Sequence, residues 1–255
     1  MNRKIDSWVG KRVWIIGAST GIGAACASLL LERGASVALS ARQRSKLEQL
    51  CAGQPLALAM PLDITQPEQV QAVCAALTQQ WTGIDLVLVV AGGYTAMRAD
   101  DFDLAQAQRL MDLNLGGVFA CLAPVLPLLL KQGAGGIGIV ASVAGYGGLP
   151  KALVYGASEA ALINLTESLY LDLHPRGIDV YQINPGFVDT PLTAGNDFKM
   201  PALMTAHDAA VAMLDGIERG QFHIHFPKRF TNSLRLARLL PYRAYFWLIN
   251  KVTGL

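Results

Sequence analysis

Seven short apolar runs, separated by longer amphipathic stretches, set the tightest limit on what this chain can fold into. The runs are VWIIGA (13–18), SVALSA (36–41), LALAM (56–60), DLVLVVA (85–91), GIGIVAS (136–142), IDVYQIN (178–184) and QFHIHF (221–226). Most are continuously apolar, as strands covered on both faces are. Helical stretches fall between them at 21–33, 44–51, 67–81, 105–131, 152–174 and 206–219. Gly34, Gly83 and Gly220 stand just past three of the ends, where a left-handed residue terminates a helix. Such alternation builds βαβ units, because parallel strands need long crossovers and helices fill them. The predicted fold is therefore α/β, a doubly wound parallel sheet of about seven strands with helices on both faces. No repeat, low-complexity tract or linker interrupts the 255 residues, so 1–255 reads as one domain.

Composition narrows the function. Charged residues are only 16% of the chain against a norm of about 25%, while apolar residues reach 52%, so a buried surface beyond a monomer's core is expected. A homo-oligomer or a membrane-facing patch answers that expectation. The net charge of +2 and the lack of a basic stripe in the first 220 residues argue against nucleic acid. Cys26, Cys51, Cys74 and Cys121 lie far apart with no CxxC pair, which favours reduced thiols over disulfides or zinc. The polar N-terminal residues run straight into the first strand, and the apolar run 118–130 contains Pro124 and Pro127 and falls short of the ~18 residues of a membrane span. A cytoplasmic protein is expected.

Between the first strand and first helix stands Gly17-Ala18-Ser19-Thr20-Gly21-Ile22-Gly23. Glycines at a strand-to-helix turn let the backbone bend sharply and let a pyrophosphate approach, while the helix N-terminus presents free amides and partial positive charge. After the second strand, position 41 is alanine, and Arg42 follows; a guanidinium can pair with a ribose 2′-phosphate where a carboxylate would hold the 2′-hydroxyl. NADP(H) is the cofactor this favours.

The glycine spacing resembles the TGxxxGxG fingerprint of the short-chain dehydrogenase/reductase family, and the resemblance continues along nearly the whole chain. It implies a Rossmann fold with Gly17, Ser19, Thr20, Gly21, Ile22 and Gly23 around the pyrophosphate. Asp63 and Ile64 look like the pair that flanks the adenine, and Ala91-Gly92 match the end of the family's NNAG motif. Val89 and Val90 replace its two asparagines, so packing must stand in for a polar contact there. Asn184-Pro185-Gly186-Phe187-Val188-Asp189-Thr190 resembles the segment that lines the nicotinamide, which assigns Pro185, Gly186, Val188 and Thr190 to the cofactor site.

Carbonyl reduction needs a proton donor to the nascent alkoxide and a second hydrogen bond to the same oxygen. Ser142 ends the fifth strand and Tyr155 follows 13 positions on, which matches the family's Ser–Tyr pair, and Asn114 matches its active-site asparagine. By resemblance Tyr155 is the acid/base, Ser142 the carbonyl-oxygen partner and Asn114 the support of a proton relay. The substrate implied is a small carbonyl or alcohol. Relatives are commonly dimers or tetramers through the helices that carry Asn114 and Tyr155.

The family's YxxxK motif reads Tyr155-Gly156-Ala157-Ser158-Glu159 here. In relatives the lysine grips the nicotinamide ribose and lowers the phenol pKa from about 10 toward neutrality, an effect of roughly 4 kcal/mol. Three readings stand: an oxidoreductase working mainly in the reductive direction, a catalytically impaired NADP(H)-binding module, and a substitution of the lysine by Lys151.

The stretch 187–205 shows no regular pattern and suits a substrate lid with Gly195 and Pro201 as hinges. Leu192, Phe198, Met200, Leu203 and Met204 would give it an apolar underside and favour an uncharged substrate. His223 and His225 share one face of the last strand, but without a third ligand nearby they read as structural, and no metal is expected. Residues 228–255 carry Lys228, Arg229, Arg235, Arg238, Arg243 and Lys251 and no acidic residue, interleaved with Phe230, Leu234, Leu239, Leu240, Tyr242, Tyr245, Phe246 and Trp247. Such a basic amphipathic tail can pack on a partner subunit, roof the substrate cleft or lie on an anionic bilayer as a peripheral contact.

Overall fold

A computed structural model describes every residue except Asp197, Lys199 and Leu255. Seven parallel strands form one sheet in the order β3-β2-β1-β4-β5-β6-β7: β1 (Arg12–Ile16), β2 (Ser36–Ser40), β3 (Ala57–Ala59), β4 (Leu86–Val89), β5 (Gly136–Val140), β6 (Asp179–Pro185) and β7 (His223–Phe226). The helices are α1 (Gly21–Glu32), α2 (Arg44–Cys51), α3 (Pro67–Trp81), α4 (Leu104–Met111), α5 (Gly117–Gln132), α6 (Leu153–Leu173), α7 (Ala206–Glu218), α8 (Lys228–Ala237) and α9 (Tyr242–Thr253). This is the Rossmann-like, doubly wound architecture expected from the alternation.

Each strand feeds two cores because successive side chains leave opposite faces of the sheet. Trp14 and Ile16 of β1 pack with α3, α5 and α6, whereas Val13 and Ile15 pack with α1 and α7. The same split separates Val87 and Val89 from Leu86 and Leu88 of β4. Val89, which stands where relatives carry an asparagine, is fully enclosed by the first core, so packing has replaced the polar contact.

The long helix expected at 105–131 is three pieces: α4, a π-helical turn over Asp112–Gly116, and α5. In the widened turn the Gly117 amide donates to the Asp112 carbonyl, five residues back, and Asn114 turns inward to full burial. Together, 104–132 make the one stretch among the described residues long and apolar enough to cross a membrane. Here it is a core helix, with Val118, Cys121, Val125 and Leu129 buried against the sheet. Strand order reverses between β1 and β4, and this splays the crossovers apart and opens a crevice at the carboxyl ends of the strands.

The tail expected to be amphipathic forms α8 and α9. Ala237, Tyr245 and Ile249 pack with Leu149, and the Tyr245 hydroxyl donates to the Gly148 carbonyl at 2.9 Å. Its inner face thus braces the loop between β5 and α6.

Candidate active site

Beyond β1 the chain turns at Gly17, where φ is +99° and a Cβ would lie 2.5 Å from the Ala91 amide nitrogen. Glycine is required on both counts. The Gly17 and Ala18 amides donate to the Ser40 carbonyl at 2.8 and 3.0 Å, which ties the bend to β2. A Cβ on Gly23 would run into the Gly17 carbonyl, so this glycine lets α1 pack directly on the bend. The Thr20 side chain does not cap α1, and the first-turn amides are left for an incoming anion.

A cleft of about 850 Å³ runs from this bend across the strand ends. Gly17, Ser19, Thr20, Gly21, Ile22 and Gly23 line it at one side, with Arg42, Asp63, Ile64, Ala91 and Gly92. Pro185, Gly186, Val188 and Thr190 line it from β6 onward, and Ser142 and Tyr155 face the same space. Thr190 leans over the bend closely enough that a Cβ on Gly21 would meet its Cγ2 at 2.9 Å. Lys46, which sequence reasoning passed over, joins Arg42 on the wall from one helical turn further along. The one carboxylate among the described lining residues, Asp63, is turned toward Thr65, whose amide and hydroxyl donate to it at 3.0 and 2.8 Å. The basic corner is therefore open to a further phosphate.

Ser142 caps a short 3₁₀ turn (Val143–Gly145) by accepting from the Ala144 amide at 3.1 Å. Gly145 lets that turn lie flat on α6, since a Cβ there would sit 2.7 Å from the Glu159 carbonyl carbon. This close approach brings Ser142 near Tyr155, close enough for its side chain to act on the phenol. Two further groups fix the pair. Asn184, buried in β6, donates to the Ser142 carbonyl at 3.1 Å. Tyr94 meets the Tyr155 ring edge-on with centroids 5.1 Å apart. Neither role has a signal in the sequence, because both depend on which loops the fold sets side by side.

Asn114 does not line the cleft but lies one layer behind it. Its Oδ1 accepts from the Gly93 amide at 2.7 Å, while its Nδ2 donates to the Gly93 carbonyl and Ser158 Oγ, both at 3.0 Å, and to Glu159 Oε1 at 3.3 Å. Through Ser158, whose Oγ donates to the Tyr155 carbonyl at 2.8 Å, it is linked to Tyr155. Glu159 is 4% exposed and sits in this cluster, within 3.3 Å of Ser158 Oγ. Burial pushes its carboxyl up to about 8, so at neutral pH it carries a proton and no charge. Desolvation, and then the Glu159 carboxyl, push the Tyr155 phenol above its ordinary value, and the Ser142 hydrogen bond pulls it partly back. Lys151 stands four residues before Tyr155, just ahead of α6. Its backbone turns through φ +59° ahead of α6, and its carbonyl accepts from the Met97 amide at 3.1 Å.

The far end of the cleft is apolar. Leu192 and Phe198 line it, and Phe187, Phe230 and Leu149 complete the wall. Phe230 comes from α8, so the tail roofs part of the cleft. The other apolar residues expected on the lid's underside lie elsewhere: Leu203 is exposed, Met200 Sδ accepts from Asn196 Nδ2 at 3.3 Å, and Met204 pairs with Val188 through a β-bridge. Positions 197 and 199 of the lid lie outside the described residues. His223 and His225 are occupied by neighbours, His223 Nε2 with the Tyr146 hydroxyl at 2.8 Å and His225 Nδ1 with Thr231 Oγ1 at 2.6 Å. No cluster of three His, Cys, Asp or Glu suited to a metal occurs among the described residues.

Residues 11–200 match the short chain dehydrogenase family. An "uncharacterized oxidoreductase" of Myxococcus xanthus is 35% identical over 232 residues, covering 89% of this chain and 91% of its own length. One of Staphylococcus epidermidis is 34% identical over 203 residues, covering 78% and 87%. Among solved structures, a short chain dehydrogenase from Burkholderia cenocepacia in complex with NADP superposes with a TM-score of 0.84 at 24% identity, over 95% of this chain and 98% of that one. A short-chain type dehydrogenase/reductase from Mycobacterium marinum gives 0.76 at 28% identity, over 86% and 94%. The glycine bend, the strand order and these relatives agree, and the chain belongs to the short-chain dehydrogenase/reductase family of oxidoreductases.

Proposed function

We propose that this protein is an NADP(H)-dependent reductase of small, uncharged, mostly apolar carbonyl compounds. One observation carries the reading: the anion-accepting bend, the Arg42–Lys46 corner and the Ser142–Tyr155 pair all open into one cleft. The cradle fits a dinucleotide, since Gly17 and Gly23 let β1, the bend and α1 pack closely with the first-turn amides left open, and the basic corner can take a 2′-phosphate. The Burkholderia relative was solved with NADP, which supports the same choice. Residues 17–23 would hold the pyrophosphate, Asp63 and Ile64 the adenine side, and Pro185, Gly186, Val188 and Thr190 the nicotinamide side. Bound there, the cofactor supplies or accepts a hydride.

The chain's own residues handle the proton. The substrate oxygen takes one hydrogen bond from Ser142 and one from the Tyr155 hydroxyl, and Tyr155 gives up its proton as the alkoxide forms. A phenol held above its ordinary pKa keeps that proton and is a donor rather than a base, so reduction is favoured over alcohol oxidation. Phe187, Phe198 and Phe230 exclude water from the apolar end. Under this reading the protein is cytoplasmic and forms a homo-oligomer, and the exposed Phe119 on α5 and Leu153 on α6 support the subunit contact.

A second reading rests on Glu159: with a carboxyl in place of the lysine, the site binds NADP(H) but turns over poorly. NADPH consumption against a panel of aldehydes and ketones, run beside calorimetric NADPH and NADH titrations, separates the two. Turnover selects the reductase, and tight NADPH binding without turnover selects the binding module. Failure to bind either nucleotide defeats both.

A further inference from the structure

We infer that the outer face of α8 and α9 is a docking surface for an anionic lipid bilayer. The inner faces of these helices are accounted for by the core around Tyr245 and by the cleft wall at Phe230. The outer face is left unpartnered: Leu236 is 66% exposed, Leu239 80%, Phe246 54% and Trp247 62%. Six cations are interleaved in sequence with these side chains, Arg235 alone turning inward to His225 Nε2 at 3.2 Å, and no carboxylate occurs anywhere in 228–255. Arg238 lies over the Tyr242 ring at 5.4 Å and Lys251 over the Trp247 ring at 4.8 Å, so charge and aromatic surface form one mixed layer.

Charge decides between the candidate occupants. A two-fold dimer sets a patch against its own copy, and this one would place Arg229, Arg238, Arg243 and Lys251 near their own copies with no carboxylate of 228–255 to neutralise them. An anionic membrane supplies the missing negative charge, each Lys or Arg near its surface being attracted, and accepts Leu, Phe and Trp into the headgroup boundary. The surface is also tied to the cleft, because Leu149 lines the cleft and packs beneath α9. A docked protein would therefore hold its cleft rim beside the bilayer.

The test uses the full chain with phosphatidylglycerol-rich vesicles and with pure phosphatidylcholine vesicles. Co-sedimentation with the first and not the second is expected, with a blue shift of tryptophan emission and at least a tenfold weaker partition at about 1 M salt, where screening falls to about 3 Å. Leu239→Ser/Phe246→Ser/Trp247→Ser should lose binding. Arg243→Glu, an exposed charge change that leaves the packed face untouched, should weaken it about tenfold. Absence of binding to either vesicle, as an acidic protein partner would predict, overturns the proposal. Equal binding to both vesicles, or binding unaffected by these substitutions, does the same. A shift from dimer to monomer in the triple variant with vesicle binding unchanged assigns the face to a second copy instead.

Discussion

A carboxyl one helical turn from Tyr155 is costly to ionise when water cannot reach it, and the fold resolves this by keeping Glu159 protonated at about 8. An unfolded glutamate titrates near 4.5. Between those values the folded chain holds a proton that the unfolded chain has released, so stability falls as pH rises from about 4.5 to about 8 and levels off above. The full span is on the order of 5 kcal/mol. His223 and His225, held neutral down to about 4 against 6.5 in the open chain, act oppositely and add stability as pH rises toward 6.5. Urea unfolding of wild type should therefore weaken from pH ~6.5 to ~8.5, whereas Glu159→Gln, which keeps the hydrogen bond from Asn114 without a titrating group, should stay level. Parallel curves for the two proteins would show that Glu159 does not titrate in this range. Glu159→Lys should raise NADPH-dependent turnover at least tenfold, equivalent to about 1.4 kcal/mol off the barrier, by returning a positive charge beside the phenol. An unchanged or lower rate counts against this account. The sequence displays the exchange of lysine for glutamate. It does not display the enclosure that removes the charge, because Asn114 and the Gly145 turn close over Glu159 from two segments distant from it in the chain.

At the level of elements, the site depends on turns that lie unusually close to helices. Gly145 presses the 3₁₀ turn onto α6 and so sets Ser142 against Tyr155. Gly145→Ala forces that turn off the helix, with an expected loss of about 1–3 kcal/mol in stability and a fall in turnover, because a small displacement of Ser142 spoils the second hydrogen bond. NADPH affinity should hold, since the bend at 17–23 is on another element. Calorimetry beside steady-state rates checks both, and a variant with wild-type turnover would show that the close approach is immaterial. Strands β1, β2 and β4 to β6 were legible because continuous apolar runs have few other uses. The π-helical turn was not, since one extra residue in a helix changes no periodicity over so short a span. The tail's two helices were hidden by Pro241, which divides α8 from α9 in what reads as one amphipathic stretch.

For the whole molecule, low charge and high apolar content call for buried surface beyond a monomer's, and two faces are open to supply it. If subunits join through α5 and α6, Phe119→Glu should lower the mass measured by light scattering toward that of one chain, with vesicle binding unchanged. A mass unaltered by Phe119→Glu places the subunit contact elsewhere.

By itself the sequence determined the class of fold, the anion-binding bend, the Ser142–Tyr155 spacing and the loss of the lysine, because each is written in local pattern: apolar runs, glycine spacing, a motif within one segment. Only the tertiary structure decided that Asn114 stands behind the cleft, that Glu159 is neutral, that Lys46 joins Arg42, and that Asn184 and Tyr94 hold the reacting pair. Those properties follow from burial and from contacts between distant segments, which arise when the sheet closes and the loops at its carboxyl edge are brought together.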